Sequence, residues 1–147
     1  MKLSHLLAVM IWHKHNFQMV HWNVIGKGFK NVHEASNGYI DEIDGHIDQV
    51  AEFIRMLDLE EPIPTLPEID AIIREDSVEH ILVNTKHIEC DEAWNIMIEL
   101  FDDLIKSCEA VYEGVPTDIQ SEIDQIMYFY RKEGMFKCKA TVLHSED

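Results

Sequence analysis

Apolar side chains recur at helical spacing along most of the chain, and the pattern breaks at a few well-marked places. Leu3, Leu6, Leu7, Met10, Ile11, Phe17 and Val20 predict a helix from residue 2 to about 24, which Gly26-Lys27-Gly28 ends. Asn31 followed by Glu34 resembles a capping box and predicts a second helix that runs to about Leu57. Its apolar side carries Val32, Tyr39, Ile43, Val50, Ile54 and Leu57. Glu60-Glu61-Pro62-Ile63-Pro64 is a connector, and Thr65-x-x-Glu68 with Pro67 opens a short helix over about 66–74. Asp76-x-x-Glu79 is the expected cap of a third long helix, about 77–113, which Gly114 and Pro116 stop. Thr117-x-x-Gln120 then opens a fourth, about 118–141. No strand-like alternation or internal repeat stands out. The expected architecture is all-α, a four-helix bundle with one long crossover that holds a short extra helix, and the single domain spans 1–147.

The polar side of the second helix changes the picture. At 100° per residue, positions 33, 34, 37, 41, 44, 48, 52 and 55 fall within about 100° of one another. They are His33, Glu34, Asn37, Asp41, Asp44, Asp48, Glu52 and Arg55. A solvated face ordinarily mixes Lys with Glu at i,i+4. Here no lysine occurs from Asn31 through Leu57. These carboxylates repel one another unless a cation joins them, so metal binding is the leading expectation.

Helix geometry then limits how a metal could bind. His33 and Asp48 are fifteen residues apart, so about 22 Å along a straight helix. Metal–ligand bonds are about 2.0–2.6 Å. No single ion reaches both residues in one chain. A two-fold axis between antiparallel copies of this helix would bring His33 of one chain near Asp48 of another and create two identical sites. His21 would join His33 from the preceding helix, and Asp48 and Glu52, one turn apart, would come from the partner.

At these residues the sequence resembles the Dps family, the mini-ferritins. The family pattern stands here as His21-Trp22-Asn23, Gly26, Phe29, His33-Glu34, Asp48 and Ala51-Glu52, with matching spacings. The resemblance implies a ferritin-like fold with the short helix between the second and third long helices. It also implies a ferroxidase centre between subunits, made of His21, His33, Asp48 and Glu52, and a shell of twelve subunits that stores ferric mineral. The implied activity is oxidation of Fe(II) to Fe(III), with hydrogen peroxide as the preferred oxidant, which protects against oxidative damage. By affinity order Zn(II) or Co(II) can substitute for iron in such a site.

Two positions depart from the family pattern. Asn37 replaces a customary acid, which weakens a second iron position, and Phe53 stands where Arg is common. Trp22 lies beside the iron centre in the family, but its own residue type favours a core ring. Glu34, Asp41 and Asp44 are candidates for mineral nucleation, or else a solvated acidic face. Asp118 and Glu122 are candidates for an acidic pore, or else partners of a helix N-terminus. His46 reads as a packed histidine. His80, His87 and Cys90 share a rough face of the third long helix, where His-x-x-Cys is a weak signal.

Charge and cysteine content bound the partners and the compartment. Among 147 residues, 28 acidic and 12 basic side chains give a net charge of −16, which repels nucleic acid and anionic membrane. Arg131, Lys132, Lys137 and Lys139 form only a small basic cluster, and the tail ends His144-Ser145-Glu146-Asp147. DNA binding, the activity that named the family, is therefore not expected. No apolar run is long enough to span a membrane, and the N-terminus reads as a helix without a cleavage site. Three cysteines without a CxxC pattern suit a reducing cytoplasm. Two other readings stay open: a Dps-type DNA binder, and a non-catalytic helical shell whose iron site has weakened.

Overall fold

The computed structural model describes residues 1–145; the end of the tail, Glu146 and Asp147, lies outside them. Four long helical segments form the bundle: α1 (Leu3–Asn23), α2 (Phe29–Leu57), α4 (Cys90–Tyr112) and a last rod. That rod consists of α5 (Thr117–Phe129), a π-helical segment (Tyr130–Phe136) and α6 (Lys137–Ser145) in unbroken succession. The short α3 (Leu66–Glu75) lies in the long crossover from α2 to α4. Two short strands, β1 (Val24–Ile25) and β2 (Ile88–Glu89), pair in parallel and join the α1 exit to the α4 entry. Among the described residues no helix is long and apolar enough to cross a membrane.

The core follows the helical pattern. Leu6, Leu7, Met10, Phe17, Ile43, Met97, Leu100, Phe101, Leu104, Ile123 and Tyr130 are completely or almost completely buried. Full burial of one such side chain contributes roughly 1.5–3 kcal/mol. Tyr39 and Phe17 pack on the Phe101 ring at 4.8 and 4.9 Å between centroids. Helix α1 buries Ala8, Val9, His13 and Asn16 as well, so it is covered nearly all round. The crossover provides that cover. Trp12 Nε1 donates to the Ile81 carbonyl at 2.9 Å, and Asn16 Nδ2 donates to the same oxygen at 3.0 Å. The Val83 N–H donates to Asn16 Oδ1 at 3.0 Å. The buried Asn16 amide thus satisfies one carbonyl and one N–H of the crossover backbone.

Several local expectations need correction. Helix α4 begins at Cys90, not near residue 77. Asp76 does not cap it; its carboxylate takes His5 and His80 instead, and residues 80–83 are irregular chain lying against α1. His80, His87 and Cys90 consequently share no helix face. Helix α2 starts at Phe29, with Gly28 at φ +95° before it, so Asn31 lies inside the first turn rather than at the cap. Gln120 donates to the Tyr112 carbonyl and does not close a box with Thr117. The box at Thr65 and Glu68 does form, with both bonds present.

Within the π-helical segment, Gly134 is required by packing. A Cβ placed on Gly134 would lie 2.6 Å from the Phe101 ring. The absence of a side chain there lets the rod approach α4. We expect Gly134→Ala to destabilise the fold by roughly 1–3 kcal/mol through overpacking. Gly45→Ala, where nothing lies within 4 Å, should be neutral or slightly stabilising. Denaturant titration of the two variants measures the contrast.

Candidate metal centre

His21 comes from the last turn of α1 and His33 from the second turn of α2. The glycine-containing link between these helices brings the two rings together. The imidazoles stack at 3.8 Å between centroids and 19° between planes. Phe29, one turn earlier, stacks on His33 at 4.9 Å. Each histidine is tied to the other's backbone. His21 Nδ1 lies 2.9 Å from the His33 carbonyl, and His33 Nδ1 lies 3.2 Å from the His21 carbonyl. A carbonyl only accepts, so each Nδ1 carries the proton and donates. In the neutral ring each Nε2 then holds its lone pair, ready to bind a metal. Ser36 Oγ, 2.9 Å from His21 Nδ1, donates its own proton to the His33 carbonyl. Burial, then the nearby His33, lowers the His21 pKa and favours its neutral form.

The acidic members of the stripe lie elsewhere on α2. Asp48 and Glu52 are exposed, one turn apart, toward the C-terminal half of the helix. Hydrogen bonding to Asp48 and repulsion from it raise the pKa of the Glu52 carboxyl. α2 is continuous through this region, so about 22 Å of helix separates His33 from Asp48. One chain therefore brings together His21 and His33, and separately Asp48 and Glu52, but not the two pairs. At the carboxylate end, Arg55 Nε and Nη2 are buried and have no hydrogen-bond partner among the described residues.

The remaining candidates are dispersed. Asn37 is exposed one turn after His33. Glu34 and Asp41 are exposed, and Asp44 accepts from Lys14 at 2.7 Å. Asp118 is exposed and holds the Ile119 N–H, while Glu122 accepts from Gln49 of α2 at 3.1 Å. Trp22 is not a core ring: it is 61% exposed, with only the His15 ring edge-on at 6.3 Å. His46 is packed, as expected, with Nδ1 2.8 Å from the Tyr130 hydroxyl. Phe53 is buried in the core.

A second constellation was not visible in the sequence. His5, His13, Asp76, His80 and Asp103 form a connected network where α1, the crossover and α4 meet. These residues are separated by up to 98 positions and have no local spacing signature. Only the folded crossover brings them together.

If the crossed hydrogen bonds set the tautomers, nitrogen-15 correlation spectra at neutral pH should show His21 and His33 protonated on Nδ1. Protonation on Nε2 in either ring would contradict this geometry.

Comparison with known proteins agrees with this fold. No curated protein matches the chain significantly. Antigen TpF1 from Treponema pallidum shares 23% identity, covers 95% of this chain and 88% of its own, and superposes with a TM-score of 0.80. Mycobacterium smegmatis Dps shares 20% identity over 95% of this chain and 82% of its own, at a TM-score of 0.78. A Dps protein from Bacillus brevis shares 23% over 95% and 91%, at 0.75. The family model of the ferritin-like domain matches residues 1–114. Through that match, and in a bundle of the Dps fold, the chain belongs to the ferritin-like family.

Proposed function

We propose that this chain is a mini-ferritin subunit that oxidises Fe(II), its substrate, at a centre shared between two subunits. The ferric product is stored as mineral inside a hollow homo-oligomer, a dodecamer by family resemblance. The observation that carries this reading is the stacked His21–His33 pair, with each Nδ1 tied to a carbonyl and each Nε2 left to bind. Asp48 and Glu52 of a two-fold-related copy complete the ligand set. Two imidazoles hold Fe(II), and two carboxylates favour the higher charge of Fe(III). Two Fe(II) ions each give one electron to hydrogen peroxide, whose O–O bond breaks to yield two hydroxides rather than a free hydroxyl radical. Asn37, a neutral amide, holds the second iron only weakly, so one position fills firmly and the other transiently.

Exposed apolar side chains support a partner at this face. Apolar Trp22, Ile25 and Phe29 are exposed near the histidine end of α2, and Met56 and Leu57 near the carboxylate end. An antiparallel copy would cover both ends at once. The acidic residues Glu34, Asp41 and Asp44 then serve as nucleation candidates, and Asp118 and Glu122 as pore candidates. DNA retention does not fit the charge of −16: the exposed Lys137 is already paired with Glu133, and Lys132 sits over the Tyr128 ring. Three free cysteines suit the reducing cytoplasm.

A subunit-mixing experiment tests the shared centre. His33→Ala and Asp48→Ala are each expected to abolish ferroxidation in a homogeneous shell. Reassembled together, about half of random pairs are mixed, and one of the two sites in each mixed pair keeps every ligand. Peroxide-dependent Fe(II) oxidation should return to about a quarter of the unsubstituted rate. Activity that stays at the level of the single variants would show that the centre lies within one subunit.

A further inference from the structure

The network at the α1–crossover–α4 junction contains a separate constellation of metal-ligating atoms. His5 Nε2 lies 2.6 Å from Asp76 Oδ2, and His80 Nε2 lies 2.6 Å from the same oxygen. These three ligand atoms all fall within 4.8 Å of one another. They come from α1 and from the crossover, so the fold, not a local turn, assembles them. We propose that His5, Asp76 and His80 form a second metal site, for a first-row divalent cation such as Zn(II), with Asp103 as a positioning residue.

The support behind His80 makes the case stronger than three ligands alone. His80 Nδ1 lies 2.6 Å from Asp103 Oδ2. Metal-binding histidines characteristically give their other N–H to a carboxylate, which fixes the ring and strengthens the ligand nitrogen. Asp103 is itself held: His13 Nε2 donates to it at 2.5 Å, and Asn16 contacts His13 Nδ1 at 3.1 Å. The trio His13, His80 and Asp103 also has metal-like spacing. It uses the opposite nitrogen of His80, and His13 is 1% exposed with Asn16 against its other nitrogen. That trio is therefore the support, and the His5 side holds the ion.

Access and geometry fit a cation. Asp76 and His80 line a groove of about 500 Å³ with Trp12, Ile73, Arg74 and Leu82, which opens the crossover side of the site to solvent. Zinc–nitrogen and zinc–carboxylate bonds are about 2.0–2.2 Å, so ligand atoms around a tetrahedral ion stand about 3.3 Å apart. The present 2.6 Å contacts need to open by only about 0.7 Å. The ion takes the Nε2 lone pair of each ring: His80 releases its Nε2 proton to solvent and keeps the Nδ1 proton given to Asp103, and His5 carries its one remaining proton on Nδ1. Bound there, the ion cross-links the start of α1 to the crossover that covers α1.

Cobalt(II) is the probe, used with the assembled protein carrying His33→Ala and Asp48→Ala so that the shared centre is disabled. We expect about one Co(II) per subunit, with the visible d–d absorption of a four-coordinate ion. Adding His5→Ala should weaken binding at least tenfold. Asp103→Asn, which keeps all three ligands, should weaken it ten- to a hundredfold. Without any substitution, Zn(II) should protect His5 from diethyl pyrocarbonate, a measurement that stands even if a variant fails to assemble. No cobalt binding in the double variant, unchanged affinity after His5→Ala, or no protection of His5 would overturn the proposal.

Discussion

The rigidity of α2 governs how the proposed centre could hold a metal. One unbroken helix carries a histidine near its start and an Asp–Glu pair in its second half. Backbone hydrogen bonding fixes their separation, and no side-chain motion closes a gap of about 22 Å. The helix thus divides the proposed ligand set into two incomplete halves. The imidazole half is organised within one chain, where stacking and crossed Nδ1–H bonds to backbone carbonyls aim the rings. The carboxylate half is left exposed, with like charges close enough to raise the Glu52 pKa. Each half has a cost alone that a cation and a second copy would relieve together. In that sense assembly and chemistry are one requirement.

The rest of the fold serves to hold the junction between α1 and α2. α1 packs on α2 on one side and is covered by the crossover on the other, so His21 is presented from a helix with little freedom. Buried Asn16 and half-buried Trp12 pin the crossover backbone, and the His–Asp network pins its beginning. The parallel β1–β2 pair closes the same connection next to the Gly26–Gly28 turn. Positions that look irregular are those where backbone groups needed partners that a helix could not provide.

The α2 stripe, the Thr65 box and the helical core were legible because they depend on local periodicity and local hydrogen bonds. The entry to α4 was not. Asp76-x-x-Glu79 is a reasonable cap by spacing, but Asp76 gains two histidine partners from distant segments, and those outweigh a cap. The need for a glycine at 134 comes from its contact with Phe101, which no window of sequence contains. Trp22 was read as a core ring because its type is apolar; its exposure follows from the face of α1 on which it falls. The histidine pair was legible as a motif, but the tautomers that prepare it required the crossed geometry.

The central claim is that one ion is held by two chains. Crystals of the assembled protein soaked in Zn(II), with anomalous differences collected at the zinc edge, test it most directly. Zinc is expected about 2.0–2.2 Å from His21 Nε2 and His33 Nε2 of one chain and from Asp48 and Glu52 carboxylates of a two-fold neighbour. Zinc bound at the histidines with no carboxylate from a second chain, or no zinc at the histidines, would contradict it.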